Sequence, residues 1–435
     1  MLSSVSINPD TLPSTSSDAL SFVRKAGANL TSILVGRLAG IGTLVILSRR
    51  LSHSDLAAYF IISSLSSFAV EVGLFGGDRI SGRRLAAQDA SYGGWRAGVR
   101  LSLVGLPCAG ILASLIYHFG YRSHSGHSSL QLLTLFSVTV FFDGLLRVSS
   151  EILKSSHAVF RANIATPGIR ALFGFVFLCA FSLFRIPLTI GLALAVAALA
   201  GLCTFSLSLL GPPIILQPKS TADSKLCVRW RHTVVSGALI TINAGSVTVI
   251  NVCDLLIIGM LASNDTTRYG LALRVVSLTN LVPMAINFVS GPQIARLAAS
   301  GDRAGLLRYV NRLALRHAIG VAIPYLVILG SGDRIFRVLG GEAADGARPI
   351  ALILGLGSLV AAPLVAKGSA LLYVAEDRRL AMAAAFVLPV AIISEFIAAK
   401  TARANGVAVA SAGSSILLGL AYGSQWQRFK RMRGV

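Results

Sequence analysis

The 435-residue sequence predicts an all-α polytopic membrane protein of about twelve transmembrane helices, arranged as two parallel six-helix repeats. Three observations lead there. Hydrophobic residues make up 54% of the chain and charged residues only 13%, with a mean hydropathy of +0.73. A soluble globular chain carries about 25% charged residues, so too little polar material is present to cover a water-facing surface of this size. Between its charges the chain falls into apolar stretches near the ~20 residues needed to cross a bilayer. Finally, LSHSDLAAY (Leu51 to Tyr59) returns as LASNDTTRY (Leu261 to Tyr269), with Leu, Asp and Tyr at the same three places 210 residues on.

Taken in order, residues 1–20 form a Ser/Thr-rich tail without Lys or Arg, expected to be disordered and cytoplasmic. It lacks the basic start and small-residue cleavage site of a removable signal, and Arg24 and Lys25 directly precede the first span, which reads as a retained helix. The first bundle, 21–210, has spans at about 26–48, 56–77, 101–121, 129–146, 162–184 and 186–210. A linker at 211–231 follows, holding Pro212, Pro213, Pro218 and a basic cluster. The second bundle, 232–426, has spans at about 233–261, 269–293, 313–332, 349–372, 380–399 and 404–426, before a basic tail at 427–435. With no water in lipid to satisfy a bare backbone, every span is expected to be helical, and Pro107, Pro283, Pro324 and Pro389 do not argue otherwise.

The net charge of +21 is explained by the positive-inside rule rather than by nucleic acid. With the N-terminus cytoplasmic, the inside segments hold 23 Lys and Arg against 10 outside, which places both termini inside. Cys108, Cys179, Cys203, Cys227 and Cys253 show no C-x-x-C spacing, and four of them sit in or beside apolar spans as small packing residues.

The repeat extends to Arg84-Leu-Ala-Ala87 and Arg296-Leu-Ala-Ala299, offset by 212. Six helices is an even number, so the second copy enters the membrane in the same direction as the first. Parallel repeats of this kind enclose a site between them near the midplane, an alternating-access transporter architecture.

Two stretches, VGRLAGIGTLVILSRRLSHSDLAAYFIISSLSSFAVEVGLFGGDRISGRRLAA (35–87) and DLLIIGMLASNDTTRYGLALRVVSLTNLVPMAINFVSGPQIARLAASGD (254–302), resemble the cores of Wzx-type polysaccharide flippases. These belong to the multidrug/oligosaccharidyl-lipid/polysaccharide exporter superfamily. The resemblance implies a V-shaped transporter of two six-helix lobes in a bacterial inner membrane. It implies a polyprenyl-diphosphate-linked oligosaccharide as substrate, flipped to the outer leaflet for O-antigen, capsule or exopolysaccharide synthesis, with other polysaccharide-assembly membrane proteins as partners. In that family the gap for the lipid tail lies beside the first and eighth spans, which here carry Arg37 and Arg274.

Ionisable groups deep in a bilayer are costly and face a cavity or a partner. Arg37 lies twelve residues from both Lys25 and Arg49, roughly 18 Å from either flank, too far for snorkelling. It is expected to clamp a phosphate or to pair with an acid on a neighbouring helix. Arg170, one turn after Pro167, is likewise expected to clamp a phosphate, or else to make a helix-packing hydrogen bond or snorkel, and Lys367 is a further cavity residue. Asp254 and Arg274 fall at similar depth on adjacent antiparallel helices, so a salt bridge is expected; otherwise Arg274 holds the diphosphate and Asp254 senses a proton or sodium ion. Asp143 and Arg147, spaced i, i+4, read as a self-neutralising pair, with Asp143 also an ion-coupling candidate. Glu71 reads as a proton site or a rim residue, and Glu395, near the outer end of its span, as reaching water. Asn243, Asn251, Asn280 and Asn287 are expected to contact sugar. By the 210-residue offset Arg37 corresponds to Val247, Asp254 to Leu44 and Arg274 to Ser64, so the repeated fold itself does not require these charges.

Discounting pairs, positive charge is in excess, which suits an anionic head group; an exporter of cationic drugs would show an acid-rich cavity. His124-Ser-Gly-His127 reads as a solvated turn without Cys or acid nearby, so no metal is expected. P-loop, G-x-S-x-G and H-E-x-x-H patterns are absent and no loop is long enough for a catalytic domain, so neither an enzyme nor a cofactor is expected.

Overall fold

The structure, a computed structural model, describes residues 16–86, 94–125, 130–155, 159–210, 230–374 and 377–432. Most of the expected N-terminal tail, most of the linker at 211–231, the last three residues, Cys227 and His127 lie outside them. The described residues are helical with short connections and no strand, as expected of an all-α polytopic chain.

The first lobe contains α1 (Ser16–Arg50), α2 (His53–Leu74), α3 (Gly77–Ala86), α4 (Gly94–Ser125), α5 (Leu130–Ser155), α6 (Val159–Ile164), α7 (Pro167–Leu183) and α8 (Ile190–Leu209). The second contains α9 (Trp230–Leu261), α10 (Thr266–Val276), α11 (Leu281–Ala299), α12 (Arg303–Gly330), α13 (Arg334–Gly340), α14 (Ala347–Tyr373) and α15 (Asp377–Met432). Among the described residues, nine helical segments are long and apolar enough to cross a membrane, and 168–183 is a shorter apolar helix.

Local chemistry sets the boundaries. Ser52 caps α2 by accepting the Asp55 N–H at 3.1 Å, and Thr189 and Asp302 cap α8 and α12 in the same way. The second expected span ends early, because Phe75 takes a left-handed conformation (φ 47°) and Gly76 follows at φ 65°. The eighth is broken: a 3-10 turn at Ser277–Asn280 separates α10 from α11. α15 covers two expected spans and reverses at Ala402–Arg403, where Arg403 has φ 51° and ψ −141°. At the ends, residues 16–20 are helical in α1, and α15 runs through the basic segment as far as Met432.

Each lobe has its own core. Phe136, Leu106, Ile62 and Tyr117 fill the first, and Trp426, Val310, Val387 and Ala384 the second. A third cluster joins the lobes, packing Leu47, Leu56 and Phe60 against Ile258, Tyr269 and Leu271. It lies at the end of the molecule where α1 finishes and α2 begins, opposite the start of α1 and the end of α15. There Ser48 Oγ donates to the Leu339 carbonyl at 2.6 Å and Tyr121 Oη to the Leu256 carbonyl at 2.9 Å. At the other end the lobes touch where the Phe75–Gly76 turn meets α9, and a Cβ on Gly237 would lie 2.7 Å from the Phe75 carbonyl oxygen.

Candidate functional site

The intramembrane charges resolve into three groups. The first, made of Glu71, Asp78, Asp143, Arg147 and Arg170, lies within the first lobe and is neutralised. Arg147 lies 2.5 Å from Glu71 and 3.6 Å from Asp78, on α2 and α3. Asp143 is ion-paired with Arg170 of α7. The i, i+4 pair of Asp143 with Arg147 is therefore not formed: helix packing offers each a partner on another helix, and a pair that joins two helices replaces one confined to α5. Glu71 is an ion-pair partner rather than a lone carboxylate.

The second group straddles the lobes. Arg37 of α1 donates from Nη1 to Ser277 Oγ at 3.3 Å and from Nη2 towards Met284 Sδ at 3.5 Å, both in the second lobe. Arg274 of α10 reaches the other way, donating to Ser63 Oγ of α2 at 2.6 Å. Ser277 links them, since its hydroxyl also donates to the Arg274 carbonyl at 2.7 Å. The two guanidinium groups are close enough to repel each other. No acid pairs with either among the described residues, and Arg274 is exposed. Two like charges held in apposition by neutral hydroxyls make a ready anion site, because guanidinium forks match phosphate oxygens in charge and geometry.

The third group lies inside the second lobe. The expected Asp254–Arg274 salt bridge is absent. Asp254 is buried on α9 and accepts from Tyr269 Oη of α10 at 2.8 Å, from Ser411 Oγ of α15 at 3.2 Å and from the Leu255 N–H at 2.6 Å. Similar depth did not produce a pair, because the two side chains leave their helices in different directions, Asp254 into the lobe and Arg274 towards the other lobe. Glu395 does not reach water: it is fully buried, accepts from Cys253 Sγ at 2.9 Å through Oε2, and its Oε1 has no hydrogen-bond partner among the described residues. It lies within electrostatic reach of Asp254. Two buried carboxylates without a basic partner invite a proton or a small cation, since both cannot carry bare charge in a dry interior.

Of the residues singled out from the sequence, the fold brings together Arg37 and Arg274, buries Asp254 within the second lobe, and leaves Arg170, Asp143 and Glu71 within first-lobe ion pairs. Lys367 is half-buried on α14. Asn243 accepts from Tyr422 Oη at 3.3 Å, Asn251 donates back to the Val247 carbonyl of its own helix, Asn280 is exposed, and Asn287 Oδ1 is buried without a partner among the described residues. Ser63, Ser277, Tyr269 and Ser411 were not singled out. Tyr269 had a signal, as the last shared residue of the repeated segment, whereas the serines had none. No group of three or more His, Cys, Asp or Glu placed to hold a metal occurs among the described residues.

No family model matches the sequence, and no curated protein matches it. Solved structures share the fold. A multidrug resistance MATE family transporter of the MOP superfamily, in its inward-facing conformation, aligns over 94% of this chain and 99% of its own at 13% identity, with a TM-score of 0.70. The lipid II flippase MurJ, in an inward closed conformation, aligns over 91% of this chain and 87% of its own at 14% identity, TM-score 0.66. A Vibrio cholerae MATE transporter, VcmN, aligns over 96% and 98% at 13% identity, TM-score 0.63. At these identities the likeness is one of fold.

Proposed function

We propose that the protein is a membrane transporter that flips a polyprenyl-diphosphate-linked oligosaccharide from the cytoplasmic to the outer leaflet of a bacterial inner membrane, for surface polysaccharide synthesis. The observation that carries the proposal is the apposition of Arg37 and Arg274, one from each lobe and neither met by an acid. A diphosphate seated there would relieve the repulsion between the two guanidinium groups and replace weak hydroxyl contacts with charge-assisted ones. Since each arginine belongs to a different lobe, the anion would tie head-group binding to the relative position of the lobes. That the lipid II flippase MurJ shares the fold supports the reading. Both termini are then cytoplasmic, and the sealed end at Leu51–His53 and Leu261–Thr266 faces outwards.

The Asp254–Glu395 pair supplies the coupling site in this reading, taking up a proton or a sodium ion. Glu71 and Asp143 serve less well, because each already has an arginine. The competing reading, a cation-coupled drug exporter of the same fold, would bring a cationic substrate against Arg37 and Arg274, where charge repels it.

The test uses cells lacking this protein, complemented with wild type or with Arg37→Ala, and quantifies surface polysaccharide and cytoplasm-facing lipid-linked oligosaccharide. Loss of surface glycan with accumulation inside, rescued by wild type and not by Arg37→Ala, is the expected outcome. Unchanged glycan in the deletion strain overturns the proposal in favour of drug export.

A further inference from the structure

The two copies of the repeated segment, separated by 210 residues in sequence, meet in the folded chain. Leu51–Tyr59 opens α2 and Leu261–Tyr269 leads into α10, both at the end opposite the start of α1. Thr267 Oγ1 of the second copy donates to the His53 carbonyl of the first at 3.2 Å. Beneath this contact lies a cavity of about 360 Å³ that takes His53 and Ser54 from the first lobe's copy, Asn264 and Thr266 from the second's, and Tyr117 and Tyr121 from α4.

Its chemistry is specific. Two helix starts converge there, and unmet they would draw an anion. Each already has its own carboxylate, however: Asp55 in the first turn of α2, and Asp265 at the start of α10, which also lies 2.9 Å from Arg268. The walls themselves hold no Lys, Arg, Asp or Glu, only hydroxyl, phenol, amide and imidazole groups among small apolar ones. The Tyr117 and Tyr121 rings stack with centroids 6.0 Å apart, giving one side an aromatic wall. Thr266 is fully buried, lines the cavity, and its Oγ1 has no hydrogen-bond partner among the described residues. A buried hydroxyl without a partner is rare in a folded protein and marks a place where a missing group belongs. The size is at the lower end of small-molecule sites.

We propose that this cavity binds a neutral sugar, whose hydroxyls meet Thr266, Asn264 and His53 while its apolar face lies near the tyrosines. Because both lobes supply walls, the sugar holds them together at this end, and separation of the lobes releases it. The site stands on its own geometry; the flippase reading bears only on whether the sugar is free or belongs to the translocated glycan.

The test uses the full chain purified in lauryldimethylamine oxide, since a sugar-based detergent would compete. Saturation-transfer NMR is recorded with D-glucose, D-galactose and N-acetyl-D-glucosamine, with the short-chain geranyl-diphosphate conjugate of N-acetylglucosamine, and with D-glucuronate as the charged control. Saturation of at least one neutral sugar, free or conjugated, is expected. Thr266→Val should weaken it about fivefold, the loss of one hydrogen bond. Ala57→Phe, which fills the cavity, should abolish it while elution profile and melting temperature stay at wild-type values. Saturation of a free sugar assigns a soluble ligand; saturation of the conjugate alone, with the same sensitivity to Ala57→Phe, assigns the glycan of a lipid-linked substrate. The proposal is overturned if neither form is saturated, if glucuronate is saturated equally, or if Thr266→Val and Ala57→Phe both leave the signal intact. Arg37→Ala should retain the sugar signal, so a failure of the flippase reading and a failure of this site show in different experiments.

Discussion

At the scale of single residues, the buried charges divide into those the fold consumes and those it leaves over. Arg147 and Arg170 are consumed by Glu71, Asp78 and Asp143. Replacing Asp143 by Asn strands the Arg170 guanidinium in a partly buried site and should lower stability by about 2 kcal/mol, read as a shift in the thermal unfolding of the detergent-solubilised protein. Asp254 and Glu395 are left over. Glu395→Gln should leave a folded protein whose transport in proteoliposomes no longer responds to an imposed proton or sodium gradient. Glu71→Gln should do the reverse, keeping the gradient response while melting at a lower temperature; a coupling defect in Glu71→Gln and none in Glu395→Gln would relocate the ion site. Sequence reading found the charged residues because their depth follows from counting along a helix. It paired them wrongly because depth says nothing of rotation about the helix axis: Asp254 and Arg274 share a level yet face different neighbours, and Glu395 lies near a span end yet points into the lobe.

At the scale of elements, close helix crossings depend on missing side chains. α1 and α7 cross where a Cβ on Gly36 would lie 2.1 Å from the Gly168 Cα, and α3 meets α4 where one on Gly77 would lie 2.2 Å from the Gly98 carbonyl oxygen. Backbone cannot yield as a flexible side chain would. Gly36→Val should therefore force the helices apart and cost about 1–3 kcal/mol, measured by thermal unfolding, with a further loss of transport because Arg37 is the next residue. The membrane-spanning helices were legible from hydropathy, since lipid leaves the backbone no alternative, whereas the short α3 and α13 fell between the expected spans. Not every break was legible. The 3-10 turn at Ser277–Asn280 sits inside the single span expected at 269–293, and it is there that Ser277 turns to meet Arg37. The reversal at Ala402–Arg403, by contrast, falls in the gap expected between the spans at 380–399 and 404–426, where Lys400 and Arg403 interrupt the apolar run.

At the scale of the whole molecule, the two lobes join through an apolar cluster at one end and through hydroxyl-mediated arginine contacts deeper in. In the proposed transport, an alternating cycle must separate the sealed end. With the native cysteines replaced, His53→Cys combined with Thr267→Cys should therefore be bridged by a short thiol-specific cross-linker, stopping transport, with each single variant left active after the same treatment. Full transport in the bridged double variant would mean that this seam never opens. The sequence by itself determined the solvent, the helical class and the existence of two copies, because these follow from composition and period, which are local along the chain. Only the tertiary structure decided that Arg37 and Arg274 stand opposite each other, that Asp254 and Glu395 share one interior, and that the two copies of the repeated segment enclose a cavity between them. Each of those facts depends on how helices far apart in sequence are rotated and packed against one another, and that is set by side-chain shape across the lobes rather than by any spacing within a single span.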